Sequence, residues 1–308
     1  MNFKKLLGER KHLILIGITE PIEALIAQAE GYKAAYISGA ALSTKLGFLD
    51  EGLISLEKMA QVVSDIRKVS DLPLLVDCDT GLLTEENQSA EMHPVNDALP
   101  AIAHTMMHLL WGAGANAVQI EDQVPAKKRC GHLSGKELIS MNDMFWKIKM
   151  LAHWKKNEDQ VIVARTDARA AEGLDGAIFR AHRYINAGAD AIFPEALEAL
   201  EEFKEFRRQV PTIPLVANLA EHGKTPPMCA EALFEAGYQM VLIPATIFRM
   251  ELLTFLGALK EIKGFNSLNR SIFDGRLISR TELNKFIKKH SKIYLPVRQA
   301  GKKKKTAD

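Results

Sequence analysis

A cysteine set among cations, in the run Lys127-Lys128-Arg129-Cys130-Gly131-His132, follows an apolar segment, Ala117 to Ile120, that ends in Glu121 and Asp122. Neighbouring cations favour the thiolate, and a glycine-hinged polar loop is where a chain places a group that must reach a ligand. The chemistry expected is a Cys130 that moves a proton or attacks a carbon at an anionic substrate. A zinc site at Cys130 and His132 would need two further ligands, and neither Cys78 nor Cys229 brings a partner at the usual spacing. His93, His104, His108 and His153 fall in helical or insert segments and read as surface or packed histidines.

Asp77 and Asp79 have the i, i+2 spacing that puts two carboxylates on one face of a strand. With Glu121 they suit Mg²⁺ or Mn²⁺, whose remaining positions water and substrate oxygens can fill. A cap for the segment after Gly81, or ion pairs with Arg165, would use the same residues, and spacing alone leaves both readings open. Cys78, between the two acids, should face the other way and pack against a helix.

The elements that must position these groups repeat one arrangement. Apolar runs at Leu13–Ile18, Ala34–Ile37, Leu74–Val76, Ala117–Ile120, Val161–Ala164, Ala191–Phe193, Leu215–Ala217 and Met240–Ile243 alternate with segments of helical period. Eight such pairs predict an α/β fold, a (β/α)8 TIM-type barrel spanning residues 1–308 as one domain. Gly114, Gly188 and Gly237 stand where helices must stop before the next strand. At the carboxyl ends of the strands come Ser38, Asp77 and Asp79, Glu121 and Asp122, Arg165 and Asp167, Glu195, then Asn218 and Glu221. Barrel active sites lie on that face, and charged or amide groups closing five consecutive strands would cost too much desolvation for a purely stabilising role.

Composition narrows the class. The 308 residues carry 40 Lys+Arg against 38 Asp+Glu, a balance that argues against nucleic acid as the partner of the whole domain. The apolar stretch Leu13–Ile18 is broken by Glu20 and Pro21 and is too short for a signal core or a membrane span, so a cytoplasmic protein is expected. Three widely spaced cysteines argue against a disulfide framework. Lys302 to Lys305 read as part of a solvated, disordered basic tail over 299–308.

Taken together, Ser38-Gly39, Gly47 with Asp50, Val76-Asp77-Cys78-Asp79-Thr80-Gly81, Ile120-Glu121-Asp122-Gln123, Lys128-Arg129-Cys130-Gly131-His132, Ala164-Arg165-Thr166-Asp167-Ala168, Glu172-Gly173-Leu174-Asp175, Phe193-Pro194-Glu195-Ala196 and Ala217-Asn218 closely resemble the isocitrate lyase and phosphoenolpyruvate mutase superfamily. The resemblance runs in order from about residue 6 to about residue 280, and the Cys130 block is specific to the branch that cleaves carbon–carbon bonds. It implies a Mg²⁺-dependent (Mn²⁺ possible) retro-Claisen cleavage of 2-methylisocitrate to pyruvate and succinate, a step of propionate catabolism.

By the same resemblance Asp77 and Asp79 hold the metal, with Asp50 and Glu121 acting through water. Cys130 is the acid, and Tyr36, His132 and Arg165 complete the catalytic set. Ser38, Gly39, Ala40, Gly131, Glu195, Asn218, Ala220, Arg249 and Arg280 join Cys130 and Arg165 as substrate contacts. Family members are homotetramers, and Thr281–His290, with Leu283, Phe286 and Ile287 on one stripe, fits a helix packed on a neighbouring subunit.

Two departures bear on specificity. Residues Leu82–Pro100 form a long insert where relatives have a short turn, and Ala220 replaces a family threonine. Loss of a hydroxyl from a polar site leaves one substrate oxygen unpaired and can shift substrate preference. The alternatives are lyases or hydrolases of 2,3-dimethylmalate, isocitrate or oxaloacetate. The presence of both Arg249 and Arg280 favours a tricarboxylate. A non-catalytic scaffold using the basic tail would require a decayed site.

Overall fold

The computed structural model describes residues 3–9, 12–81, 98–129, 135–221, 223–265 and 276–295. Eight parallel strands are found: β1 (Leu13–Ile18), β2 (Ala35–Ile37), β3 (Leu74–Asp77), β4 (Ala117–Glu121), β5 (Val161–Thr166), β6 (Ala191–Pro194), β7 (Val216–Asn218) and β8 (Met240–Ile243). They are ordered β6-β5-β4-β3-β2-β1-β8-β7, and an Ile192–Leu215 bridge joins the two ends. The sheet therefore closes into the barrel that the eight apolar runs predict. Each strand lies within a few residues of its run. The differences fall at the ends, where polar residues such as Asp77, Arg165 and Asn218 continue the ladder.

Strand alternation sorts side chains into two apolar layers. Ile16, Ile18, Val76, Val118, Ile162 and Ala217 face outward into the packing beneath the helices, while Leu15, Tyr36, Leu75, Val163, Phe193 and Leu242 fill the interior. Cys78 is buried in the outer layer, as expected for a residue of opposite facing to Asp77. Gly114, Gly188 and Gly237 have φ of 103°, 110° and 91°, the left-handed conformation that ends a helix at low steric cost.

Helix Phe3–Gly8 seals the amino-terminal end. Its Phe3, Leu6 and Leu7 are buried in the interior layer with Leu13, Leu15 and Ala34. Their spacing is one helical face, and each contributes about 1.5–3 kcal/mol of burial. At the opposite end the interior turns polar. Residues 82–97 of the insert lie outside the described residues, whereas Ala98–Ala113 is helix, so the last three insert residues belong to that helix.

The last helix runs Arg280–His290, one residue longer than expected. Ser279 accepts from the Glu282 amide and Glu282 accepts from the Ser279 amide, which fixes its start. Leu283, Phe286 and Ile287 are half-buried on one face, as the stripe requires. The 299–308 tail lies outside the described residues. Among the described residues no helix is long and apolar enough to cross a membrane.

Candidate active site

At the carboxyl-terminal mouth of the barrel one cavity is lined by Tyr36, Ser38, Ala40, Asp50, Asp77, Asp79, Glu121, Lys128, Arg129, Arg165, Phe193, Asn218, Leu242 and Pro244. The period-2 pleat puts these groups together: Tyr36, Asp77, Gln119, Glu121 and Arg165 are all inward positions near strand ends. Asp77 ends β3. Its carboxylate accepts from the Gly39 amide (3.2 Å), the Asp79 amide (3.2 Å) and the Gln119 side-chain amide (3.1 Å). Gly39 is required for that approach, since a Cβ there would lie 2.9 Å from Asp77 Oδ2.

Asp79 does not share a strand face with Asp77, which corrects the expectation from spacing. The strand stops at Asp77, and Asp79 sits two residues on with φ of 47°, a left-handed turn that swings its carboxylate over the cavity. Lys147, buried on helix Met141–His153, donates to the Thr80 carbonyl at 3.0 Å and braces this turn. Burial holds the Lys147 amine down at about 8.

The electrostatics are those of a site short of positive charge. Among the described residues Asp79 Oδ2 and Glu121 Oε1 are buried without a hydrogen-bond partner. Burial pushes Asp79 up to about 6, with Asp77 and Asp50 adding to the rise and Lys128 opposing it. Glu121 is raised well above 4.5, again mainly by burial, against the pull of Arg165. Lys128 Nζ lies 2.6 Å from both Asp50 and Asp79. Burial alone would lower its pKa, but Asp79 and Asp50 outweigh it and the amine is held above its ordinary value. Tyr36 donates to Gln119 Oε1 at 2.9 Å, and burial with the nearby Asp77 raises its phenol well above 10.0.

These oxygens fit a hard divalent cation. Partnerless buried carboxylate oxygens are costly unless a cation or proton satisfies them. Among the described residues no three His, Cys, Asp or Glu side chains close on one point.

Arg165 crosses the floor. Its Nε and terminal nitrogen each lie 3.0 Å from Asp167, its Nε is 3.4 Å from Glu121, and its guanidinium lies over the Phe193 ring at 5.3 Å. Glu195 accepts from the Asn218 amide at 3.1 Å. Ser38 caps helix Gly39–Lys45 by accepting from the Ala41 amide.

Other expected site residues are placed elsewhere. Arg249 is half-exposed and turned to the Glu221 carbonyl (3.4 Å), and Arg280 is exposed in the first turn of the last helix; neither lines the cavity, nor does Ala220. Asp122, grouped with Glu121 by sequence position, points outward. It accepts from Thr166, Asp167, Arg180 and Tyr184 between the sheet and helix Ala168–Ala187. Cys130, Gly131 and His132 lie outside the described residues. The chain reaches them from Arg129, whose amide donates to Gln123 Oε1 (2.9 Å) and whose carbonyl accepts from Gln123 Nε2 (3.0 Å).

Sequence reasoning missed Gln119 and treated Lys128 only as a neighbour of the cysteine. Gln119 carried a signal, as a polar residue at an inward position of an apolar strand. Lys128 carried none, because its two carboxylate partners are 49 and 78 residues away.

A closed parallel barrel whose strand ends converge carboxylates, a lysine and an arginine on one cavity belongs to the class of (β/α)8 proteins, whose active sites lie at that end. The profile of the phosphoenolpyruvate phosphomutase family matches residues 3–263, and the chain belongs to that family. Relatives named 2-methylisocitrate lyase include one from Aeropyrum pernix, 42% identical over 93% of this chain and 86% of its own length. One from Bacillus subtilis is 41% identical over 80% of this chain and 76% of its own, and one from Escherichia coli is 38% identical over 80% and 78%. Solved structures of 2,3-dimethylmalate lyase (TM-score 0.80, 24% identity, 92% of this chain and 89% of that one) and of oxaloacetate acetylhydrolase with 3,3-difluorooxalacetate (0.81, 23%, 93% and 92%) share the fold.

Proposed function

We propose that the chain is a carbon–carbon lyase that cleaves 2-methylisocitrate to pyruvate and succinate in propionate catabolism. The observation that carries the reading is the match, over most of the chain, to relatives named for that activity. The geometry agrees with it: the mouth of the barrel offers carboxylate oxygens for a cation and a guanidinium for a carboxylate substrate.

In the proposed reaction the substrate hydroxyl gives its proton to water, the adjacent carbon–carbon bond breaks, and the bond pair is left on the succinate carbon and delocalised into the carboxylate next to it. That succinate carbon, not the carboxylate, then takes the proton of the Cys130 thiol, and the thiolate is reprotonated from water. Asp77 and Asp79 would hold Mg²⁺ (or Mn²⁺), with Asp50 and Glu121 acting through water. When bound, the ion would supply Lewis acidity to the hydroxyl and carboxylate that become the carbonyl and carboxylate of pyruvate. Arg165 pairs with a substrate carboxylate, the amides at Ser38, Gly39 and Ala40 bind the pyruvate-side carboxylate, and Tyr36 faces the hydroxyl. Glu195 and Asn218 border the substrate, and the family resemblance assigns Gly131 and His132 to the same loop function as Cys130.

The positions of Arg249 and Arg280 favour a second reading, a dicarboxylate such as 2,3-dimethylmalate or oxaloacetate, because neither arginine lines the cavity. Association of copies is part of the proposal. Helix Thr246–Phe265 exposes Met250, Leu253, Phe255, Leu256 and Leu259, apolar side chains that association would cover. A homotetramer, located in the cytoplasm, accounts for them.

The test is turnover of 2-methylisocitrate, isocitrate, 2,3-dimethylmalate and oxaloacetate with Mg²⁺, with Cys130→Ser as control. Fast release of pyruvate from 2-methylisocitrate alone, lost in the variant, is expected. Preference for a dicarboxylate selects the second reading, and turnover by the variant removes Cys130 from the chemistry.

A further inference from the structure

The carboxylate of Asp122 is buried, on the side of the barrel wall facing away from the cavity, and takes no part in the proposed reaction. Its four donors are unusual in where they come from. Oδ2 accepts from Thr166 Oγ1 (2.7 Å), Tyr184 Oη (2.7 Å) and Arg180 (3.3 Å), and Oδ1 accepts from the Asp167 amide (2.9 Å). Two of the four thus fix the end of β5 on both sides of one peptide, and two anchor it to helix Ala168–Ala187. Arg180 is itself held by Glu172 (2.8 and 2.6 Å) and by the Ile139 carbonyl (3.1 Å).

Asp167 is the residue that grips Arg165, with both guanidinium contacts at 3.0 Å. Its other carboxylate partner is buried Lys136. Arg165 is therefore aimed by Asp167, and the backbone at Asp167 is set by Asp122. We propose that Asp122 is a positioning residue that acts through Asp167 to aim the Arg165 guanidinium at the substrate carboxylate. The alternation of the strand makes this possible: Glu121 faces the cavity, and its successor reaches around the neighbouring strand end from behind. The substrate part of this inference rests on the proposed function; the link from Asp122 to Arg165 does not.

The experiment is a mutant cycle read by binding. In Cys130→Ser protein, 2-methylisocitrate is titrated calorimetrically with Mg²⁺ present. Arg165→Ala should weaken binding at least about tenfold, as loss of a bidentate carboxylate partner does. Failure of that control counts against the proposed role of Arg165 and leaves Asp122 to the second readout below. Asp122→Asn should weaken binding about five- to twentyfold when Arg165 is present and less than about twofold when it is Ala. Equal losses in both backgrounds overturn the proposal, because a general structural role does not depend on Arg165.

Thr166→Val removes one link while leaving the carboxylate in place, and it decides the same cycle if Asp122→Asn does not fold. The second readout needs no ligand. The Arg165 Nε–H resonance, assigned by its loss in Arg165→Ala, should shift and broaden in Asp122→Asn and Thr166→Val; an unchanged signal in both overturns the proposal.

Discussion

The two ends of the barrel interior are built from the same strands and obey opposite rules. At the amino-terminal end, Phe3, Leu6 and Leu7 meet Leu13, Leu15 and Ala34 in a sealed apolar plug. At the carboxyl-terminal end, Asp77, Asp79, Glu121, Lys128 and Arg165 share one small cavity, and among the described residues Asp79 Oδ2 and Glu121 Oε1 have no hydrogen-bond partner. The first end gains stability from burial. The second gives some up, since like charges held together out of water raise the free energy of the folded chain until a cation or ligand arrives. The proposed chemistry therefore falls at the end where buried charge costs stability.

The sharpest way to break this contrast is at Asp77. Asp77→Ala should lower turnover by at least about a thousandfold and abolish calorimetric Mg²⁺ binding, since it removes a proposed direct ligand. Binding that persists would move the cation elsewhere. At the other end Phe3→Ala should cost about 3–5 kcal/mol in urea unfolding while kcat/KM below the transition stays unchanged. A loss of activity that tracks the loss of stability would mean that the two ends are coupled.

Cation removal comes next. Mg²⁺ at a hundred times its Kd should stabilise the fold by about 2.7 kcal/mol, and a chelator should reverse the gain. No shift in Tm would leave the partnerless oxygens unexplained.

Acid unfolding sharpens the contrast within the site itself. Asp167 is lowered from 3.8 to about 2: burial opposes the shift, and Arg165 with Lys136 overcomes it. Its folded pKa lies below its unfolded one, so its contribution, on the order of 2 kcal/mol, is present above about pH 4 and lost as pH falls through 2. Asp79, raised to about 6, has the opposite sign: the folded state binds more protons, and stability falls as pH rises from about 4 to 6. Asp167→Asn should flatten the stability profile below pH 4, and Asp79→Asn should flatten it between 4 and 6 without lowering Tm at pH 7. Identical profiles for the two variants would count against the assignment. The smallest effect is expected far from both ends: deleting residues 302–308 should leave turnover unchanged, and a measurable loss would give the lysine tail a role in the reaction.

Much of this was legible in the chain. The eight apolar runs marked the strands because a barrel strand, buried on both faces, needs apolar residues at consecutive positions. The glycines at 114, 188 and 237 marked helix ends because only a residue without a Cβ takes that backbone cheaply. Asp77, Glu121 and Arg165 were legible as a site because they sit where apolar runs stop. The amphipathic helix at Phe3–Gly8 was not, being only six residues long, nor was the turn at Asp79, which depends on where β3 releases the chain.

The opposite facing of Glu121 and Asp122 follows from the pleat alone, yet only the packed helix Ala168–Ala187 gives Asp122 its partners. Local pattern thus determined the barrel, its strand ends and the kinds of groups gathered there, because periodicity and backbone sterics act over a few residues. Which of those groups touch, which are left without a partner and which way Arg165 points were decided by tertiary structure. The contacts that decide them, Lys128 to Asp50, Gln119 to Asp77 and Thr166 to Asp122, join residues 42 to 78 positions apart, where no local spacing rule operates.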